Sequence, residues 1–276
     1  MDNFLTEQEF TLFKNLIYDQ SGIHFSNSNR SILESRLRER LRKINLTTIQ
    51  AYHALIVRNQ EEMKVLLDAV TTNLTRFFRN AAHFSGLEHY VIPEMVRHKQ
   101  ENNQRQIRLW SAGCSTGEEP YSLAMMLKEK LPAGVSFEVI GSDISLKSLM
   151  TAQEGFYQES RMGGIPENYL NKYFDRKHDG YQVKEEIRRL VKFDYHNLIN
   201  DSGLRNIDLL FCRNVLIYFD EEAQKSAVNR FFQVMTDYSF LFIGHSESLF
   251  GLETEFQFVK TEWATFYGKF SATGRT

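Results

Sequence analysis

The stretch Ile107-Arg108-Leu109-Trp110-Ser111-Ala112-Gly113-Cys114-Ser115-Thr116-Gly117-Glu118-Glu119-Pro120-Tyr121 decides how the chain is read. A run suited to a short buried strand passes into a loop of small residues, and two carboxylates and a proline then open an apolar-periodic helix. Gly113 and Gly117 permit positive φ and let the backbone approach a bound molecule, while Pro120 suits the first helical turn, where its missing N–H costs nothing. The spacing is G-x-x-x-G, neither the G-x-G-x-x-G of a dinucleotide site nor a P-loop with its Lys-Ser/Thr. Acids stand where a phosphate would need amide donors and positive potential, so a neutral or cationic adenosine ligand of the S-adenosylmethionine kind fits better than an anionic one. An isolated G-x-x-x-G is more often an ordinary strand-to-helix turn; what surrounds this one weighs against that.

The 276 residues are 42% hydrophobic and 25% charged with a formal net charge of −2, which describes a globular chain with no bulk bias toward nucleic acid. The start, MDNFLTEQEF, is acidic without an apolar core, and no apolar run nears the ~20 residues of a membrane span, so a cytoplasmic location without membrane insertion is expected. Cys114 and Cys212 form no C-x-x-C pair and read as buried, reduced thiols. The eight histidines show no ligand spacing, and no metal is expected.

The first seventy or so residues read as helices. Thr6-Glu7-Gln8-Glu9 has the form of a capping box with Leu5 and Phe10 as its staple, and Phe10, Phe13 and Ile17 repeat at helical spacing up to Gly22. In a second helix, about Asn29 to Ile44, Leu33, Leu37, Leu41 and Ile44 make the buried stripe, with Arg36, Arg40 and Lys43 on one flank and Arg38 and Arg42 on the other. Residues 30–43 carry six positive and two negative side chains. That is either a solvated face with Glu34–Arg38 and Glu39–Lys43 pairs or a docking face for an acidic partner. Asn73-Leu74-Thr75-Arg76-Phe77-Phe78-Arg79 breaks the pattern and reads as a linker held in place by its aromatics. A helix from about Ala82 to Arg97 follows.

Beyond the glycine loop, Ser136 to Ile140 alternates as a second strand ending at Gly141-Ser142-Asp143, where an α/β nucleotide-type site places the acceptor for ribose hydroxyls; Asp143 would also suit a helix cap. Leu190–Phe193 reads as a third strand and leads to Asp194-Tyr195-His196-Asn197-Leu198. The fully apolar Ile207–Cys212 suits a central parallel strand, and Arg213-Asn214 lies just beyond its carboxyl end, where doubly wound sheets place their sites. Phe240–Ile243 is a further strand, and Phe256–Val259 with Ala264–Phe270 reads as a closing antiparallel hairpin.

These segments together resemble the chemotaxis receptor methyltransferase (CheR) family over nearly the whole chain. The resemblance rests on residues 73–79, Trp110-Ser111-Ala112 with Ser115 to Ser122, Ser142-Asp143-Ile144, Phe211 to Val215 with Ile217-Tyr218-Phe219, and Gly244-His245-Ser246-Glu247. It implies an all-α N-terminal domain over 1–75, a linker and connecting helix over 76–98, and an α/β methyltransferase domain over 99–276. The sheet is expected to be doubly wound, mostly parallel and seven-stranded, with a small antiparallel β-subdomain inserted at about 155–192. It implies methyl transfer from S-adenosylmethionine to glutamate side chains of methyl-accepting chemotaxis receptors. Asn73, Thr75, Arg79, Glu118, Asp143, Asn197, Leu198, Arg213 and Asn214 would line the cofactor site, and Tyr218 would lie beside the transferred methyl.

A glutamate carboxylate, with a reference pKa of ~4.3, is ionised at neutral pH, so this chemistry needs alignment and desolvation rather than a general base. Tyr218 and either Arg97 or Arg79 are candidates to orient the second carboxylate oxygen. Arg36, Arg38, Arg40, Arg42 and Lys43 are expected to dock the acidic methylation region of a receptor. A methyltransferase acting on nucleic acid or amide nitrogen would carry Asn/Asp-Pro-Pro-aromatic where this chain has Arg213-Asn214-Val215-Leu216. A small-molecule carboxyl methyltransferase would keep the same core but has no evident use for a basic helical domain. A noncatalytic adaptor responsive to S-adenosylmethionine would need the binding residues alone. In the insert, Tyr173 to Val183 reads as a hairpin turning at Asp179-Gly180, with Arg189–Phe193 available to pair. Family members that bind a receptor C-terminal pentapeptide have a longer, glycine-richer loop there, so no use of that tether is expected.

Overall fold

A computed structural model describes residues 4–270. Four helices come first: α1 (Glu7–Ser21), α2 (Arg30–Lys43), α3 (Ile49–Arg58) and α4 (Gln60–Val70). The capping box forms with both reciprocal bonds between Thr6 and Glu9, and Gly22 ends α1 in the left-handed conformation at φ 73°. The connecting helix is continuous but uneven: α5 (Ala81–Gly86), a π turn (Leu87–Val91) and α6 (Ile92–Glu101). The i→i+5 register just before Pro93 makes room for a ring that would otherwise crowd the preceding carbonyl.

The main sheet contains β1 (Gln106–Ala112), β2 (Ser136–Asp143), β6 (Val191–Tyr195), β7 (Ile207–Cys212), β8 (Met235–Ile243), β9 (Gln257–Lys260) and β10 (Thr265–Phe270), in the spatial order β6-β2-β1-β7-β8-β10-β9. The first five are parallel and β10 and β9 close the edge antiparallel, as the sequence pattern predicts. The chain moves outward from β1 to β6 and returns to β7 on the other side. The order therefore reverses between β1 and β7, and ligands of such sheets bind beyond strand ends at that reversal. Helices α7 (Glu118–Lys130) and α8 (Leu146–Glu154) follow β1 and β2, and α11 (Glu221–Val234) joins β7 to β8.

Between α8 and β6 lies a small antiparallel sheet, β3 (Phe156–Gln158), β4 (Phe174–Arg176) and β5 (Gly180–Val183), in the order β3-β5-β4 with helices α9 (Glu167–Tyr173) and α10 (Glu185–Arg188). The hairpin forms, but it turns through residues 177–179 with Gly180 already the first residue of β5, and its third strand is Phe156–Gln158. Arg189–Phe193 does not pair with the hairpin; as the third-strand reading of Leu190–Phe193 expects, it enters the main sheet beside β2, where its apolar residues complete a parallel ladder.

Alternate residues of the strands feed two apolar clusters. Trp110, Leu210, Cys212 and Leu241 join α11 and the N-terminal helices, while Leu109, Leu209, Phe211 and Phe242 join α7 and the connecting helix. No described helix is long and apolar enough to cross a membrane.

Candidate active site

Beyond the carboxyl ends of the strands lies a cavity of about 330 Å³. Its walls come from the end of α1 (Ser21, Ile23), the linker (Val70 to Thr75, Arg79), the glycine loop (Gly113 to Ser115), Glu119, the end of β2 (Asp143, Ile144), the segment after β6 (His196 to Leu198) and the segment after β7 (Arg213 to Val215, Ile217 to Phe219). Asn73, Thr75, Arg79, Asp143, Asn197, Leu198, Arg213, Asn214 and Tyr218 thus meet in one place although the sequence scatters them over nearly 150 positions.

Asp143 is buried, and its two oxygens accept from Ser115 N–H and Ser145 N–H, each at 2.8 Å. Burial pushes its carboxyl above the usual range against the pull of those amides, and it makes no ion pair among the described residues. Each oxygen keeps a lone pair for a hydroxyl donor. Arg213 is the opposite case: Nε donates to Glu119 Oε2 at 2.6 Å, Nη1 donates to Arg79 O at 2.6 Å, and Nη1 lies 3.3 Å from His83 Nδ1. Burial, reinforced by the Arg213 charge, lowers His83 to about 4, so this imidazole is neutral near pH 7. With Arg213 balanced by Glu119 and Asp143 unbalanced, the cavity favours a cation with hydroxyls over a phosphate.

The glycine loop is shaped for a neighbour. Gly113 has φ 77° and a Cβ there would overlap the Val215 side chain; Ser115 also takes a positive φ of 50°. Ser115 lines the cavity, and its hydroxyl is buried without a hydrogen-bond partner. The linker is held as its aromatics imply: Phe77 is fully buried against Tyr157 and Phe174, and Phe78 N–H donates to Ser122 Oγ at 3.0 Å. Arg79 Nη1 closes the linker onto Leu74 O at 2.8 Å.

Three expectations are corrected. Glu118 does not line the cavity; fully buried, it faces Arg161 and Thr116, and its neighbour Glu119 takes the cavity position. Successive helical residues differ by about 100° in direction, so only one of an adjacent pair can face the site. Arg97 is held on the solvent face of α6 by Glu94 at 2.8 Å and Glu101 at 2.9 Å, away from the cavity walls. Arg40 is not a free cation: Nε and Nη2 both reach Glu62 at 2.6 Å, and Tyr52 Oη donates to the same carboxylate at 3.0 Å. On α2 the Glu39–Lys43 pair forms at 2.7 Å, but Glu34 pairs with Arg30 rather than Arg38, whose guanidinium lies 4.7 Å from the Phe4 ring.

One contributor escaped the sequence reading although its motif stood out. Glu247 accepts Asn214 N–H at 2.9 Å and Ile217 N–H at 3.2 Å and also bonds Gly244 N–H, so one carboxylate gathers three amides beneath the segment that bears Asn214 and Tyr218. Asn214 sits at φ 61°, a conformation that this clamp helps to hold. From the other side, His24 N–H donates to Tyr218 O at 2.8 Å and Ile23 bridges Phe219.

Comparison with known proteins agrees with this geometry. The family described as "CheR methyltransferase, SAM binding domain" matches residues 73–265, and "CheR methyltransferase, all-alpha domain" matches residues 8–71. "Chemotaxis protein methyltransferase 2" of Vibrio cholerae is 35% identical over 96% of this chain and 94% of its own length. "Chemotaxis protein methyltransferase" of Borreliella burgdorferi is 35% identical over 90% of each chain, and that of Escherichia coli is 35% identical over 91% of this chain and 88% of its own.

Proposed function

The chain belongs to the CheR family of chemotaxis methyltransferases, and from that premise we propose that it converts glutamate side chains of methyl-accepting chemotaxis receptors into methyl esters. The observation that carries this reading is one cavity holding both Asp143, an uncompensated buried acceptor suited to a ribose diol, and Tyr218, whose phenol is free to meet a carboxylate. S-adenosylmethionine supplies the activated methyl when bound. Asp143 would accept from its ribose, Ser115, Glu119 and Arg213 would face its amino-acid portion, and Leu198 and Ile144 would flank its base. Tyr218, with Arg79 nearby on the linker, would donate to one oxygen of the incoming carboxylate and leave the other aimed at the methyl. The apolar rim made by Leu74 and Ile217 would strip water from that oxygen.

Four cations of α2, Arg36, Arg38, Arg42 and Lys43, remain suited to an acidic receptor surface once Arg40 is assigned to the interior. The β4–β5 turn spans only residues 177–179, which supports docking without a pentapeptide tether. The decisive experiment incubates the protein with methyl-labelled S-adenosylmethionine and a receptor cytoplasmic fragment. Base-labile label on glutamate is expected. Label that resists mild base, or label found on nucleic acid instead, would overturn the assignment.

A further inference from the structure

The β-subdomain reaches into the glycine loop. Tyr157 Oη donates to Thr116 O at 2.7 Å, and Arg161 Nη2 donates to Thr116 Oγ1 at 2.8 Å. The Thr116 hydroxyl in turn donates to Glu118 Oε2 at 2.7 Å. Arg161 Nη2 also lies 2.5 Å from Glu118 Oε1, a charge contact rather than an aligned hydrogen bond. The Glu118 side chain is 0% exposed and that of Arg161 is 33% exposed, so a residue at the surface of the insert supplies the counter-charge to a carboxylate in the interior. Gly117 packs so closely here that a Cβ would come within 2.8 Å of Ala152 and 3.0 Å of Tyr157 Oη, leaving the loop little room to shift independently.

We propose that Arg161 is a positioning residue, and that with Glu118 it forms a strut through which the β-subdomain holds the glycine loop in its ligand-binding shape. The inference rests on reading the cavity as the S-adenosylmethionine site. The titratable groups facing Glu118 are Arg161 and Tyr157 from the insert and Cys114 from the loop, and Arg161 is the one cation among them. Burial pushes the Glu118 carboxyl up and the Arg161 charge opposes that push. Without Arg161 the carboxyl rises further: below its pKa it stays protonated and fits, while above it the unpaired charge draws in water and displaces Thr116 together with Gly113 to Ser115. The loss of cofactor affinity must therefore grow as pH rises.

Calorimetric titration of the full chain with S-adenosylhomocysteine, at about pH 5.5 and about pH 8.5, tests this with each variant compared to wild type at the same pH. Arg161→Met is expected to bind within about threefold of wild type at the lower pH and at least about tenfold more weakly at the higher. Adding Glu118→Gln removes the buried charge and should return affinity to within about threefold at both. Arg161→Met matching wild type at both pH values, or a double variant as weak as the single, overturns the proposal. If Arg161→Met alone does not fold, the double variant decides: binding within about threefold of wild type at both pH values supports the strut and failure to bind removes it. A wild-type protein that binds no S-adenosylhomocysteine would instead overturn the reading of the cavity, a separate outcome.

Discussion

Asp143 carries a buried charge answered only by backbone amides, so a ligand hydroxyl improves its surroundings rather than competing for them. Replacing it with alanine is expected to weaken S-adenosylhomocysteine binding at least tenfold, about 1.4 kcal/mol, by calorimetry, whereas a change under threefold would leave it only the acceptor that fixes Ser145, the cap of α8. The ionised form is the better acceptor and burial raises its proton affinity. Binding should therefore decline as pH falls, over a window that lies above the 3.8 of an ordinary aspartate. Tyr218→Phe, in contrast, should leave that affinity alone and lower turnover on receptor. Residues at this scale were legible where topology fixes them: Asp143 and Arg213-Asn214 end strands, and strand ends in such a sheet converge on the site. Glu118 and Glu119 were not separable, since the rotation of α7 about its axis depends on packing that no local pattern records. Arg97 shows the same limit, because nothing in its helix states that Glu94 and Glu101 capture it.

The segment from Arg213 to Phe219 is a loop holding one turn of 3-10 helix, Leu216–Tyr218, and it owes its shape to what surrounds it. Glu247 holds two of its amides, those of Asn214 and Ile217, together with that of Gly244, and Gly244 leaves the space that Glu247 occupies, since a Cβ there would press on Asn214 N and Nδ2 at 2.9 Å. Glu247→Gln turns one acceptor into a donor facing N–H groups. It should lower both cofactor affinity and turnover by tenfold or more while the melting temperature of the unliganded protein shifts by only a few degrees. Steady-state kinetics beside a thermal melt would check this; unchanged kinetics would reduce the clamp to loop stability. The Gly244-His245-Ser246-Glu247 motif was visible in the sequence, but its purpose was not. Its partners lie about thirty positions upstream, joined only when β7 and β8 pair. The third strand of the insert was lost for a related reason: two short apolar segments competed for one edge, and the main sheet offered the longer ladder to Val191–Tyr195.

The helical domain and one face of the sheet share a continuous apolar cluster running from Phe10 through Leu66 to Trp110 and Phe231. Its outer face carries the exposed cations Arg38, Arg42 and Lys43 of α2. Reversing Arg42 and Lys43 to glutamate should raise the Michaelis constant for a receptor fragment several-fold at low salt and leave S-adenosylhomocysteine affinity unchanged. An unaltered constant would return α2 to a solvated surface. Most strands and helices were readable from hydrophobic periodicity and the sheet's architecture from the family resemblance, whereas the close union of the two regions was not, because Ile23 and Phe219 look like unrelated apolar residues until they bridge. That bridge constrains how such proteins diverge. His24 and Ile23 hold the backbone of Tyr218–Phe219, and Asn197 reaches back to Gln20 O, so the residues of each contact lie in different family domains. These contacts use main-chain groups seated by the packing of Ile23, Leu198 and Phe219, so a recombinant that inherited its first 71 residues from one relative and the remainder from another would mismatch that packing, and the cavity wall would be the first casualty. On the docking role proposed for α2, lineages of this fold should therefore exchange receptor specificity by substitution within that helix rather than by trading whole helical domains.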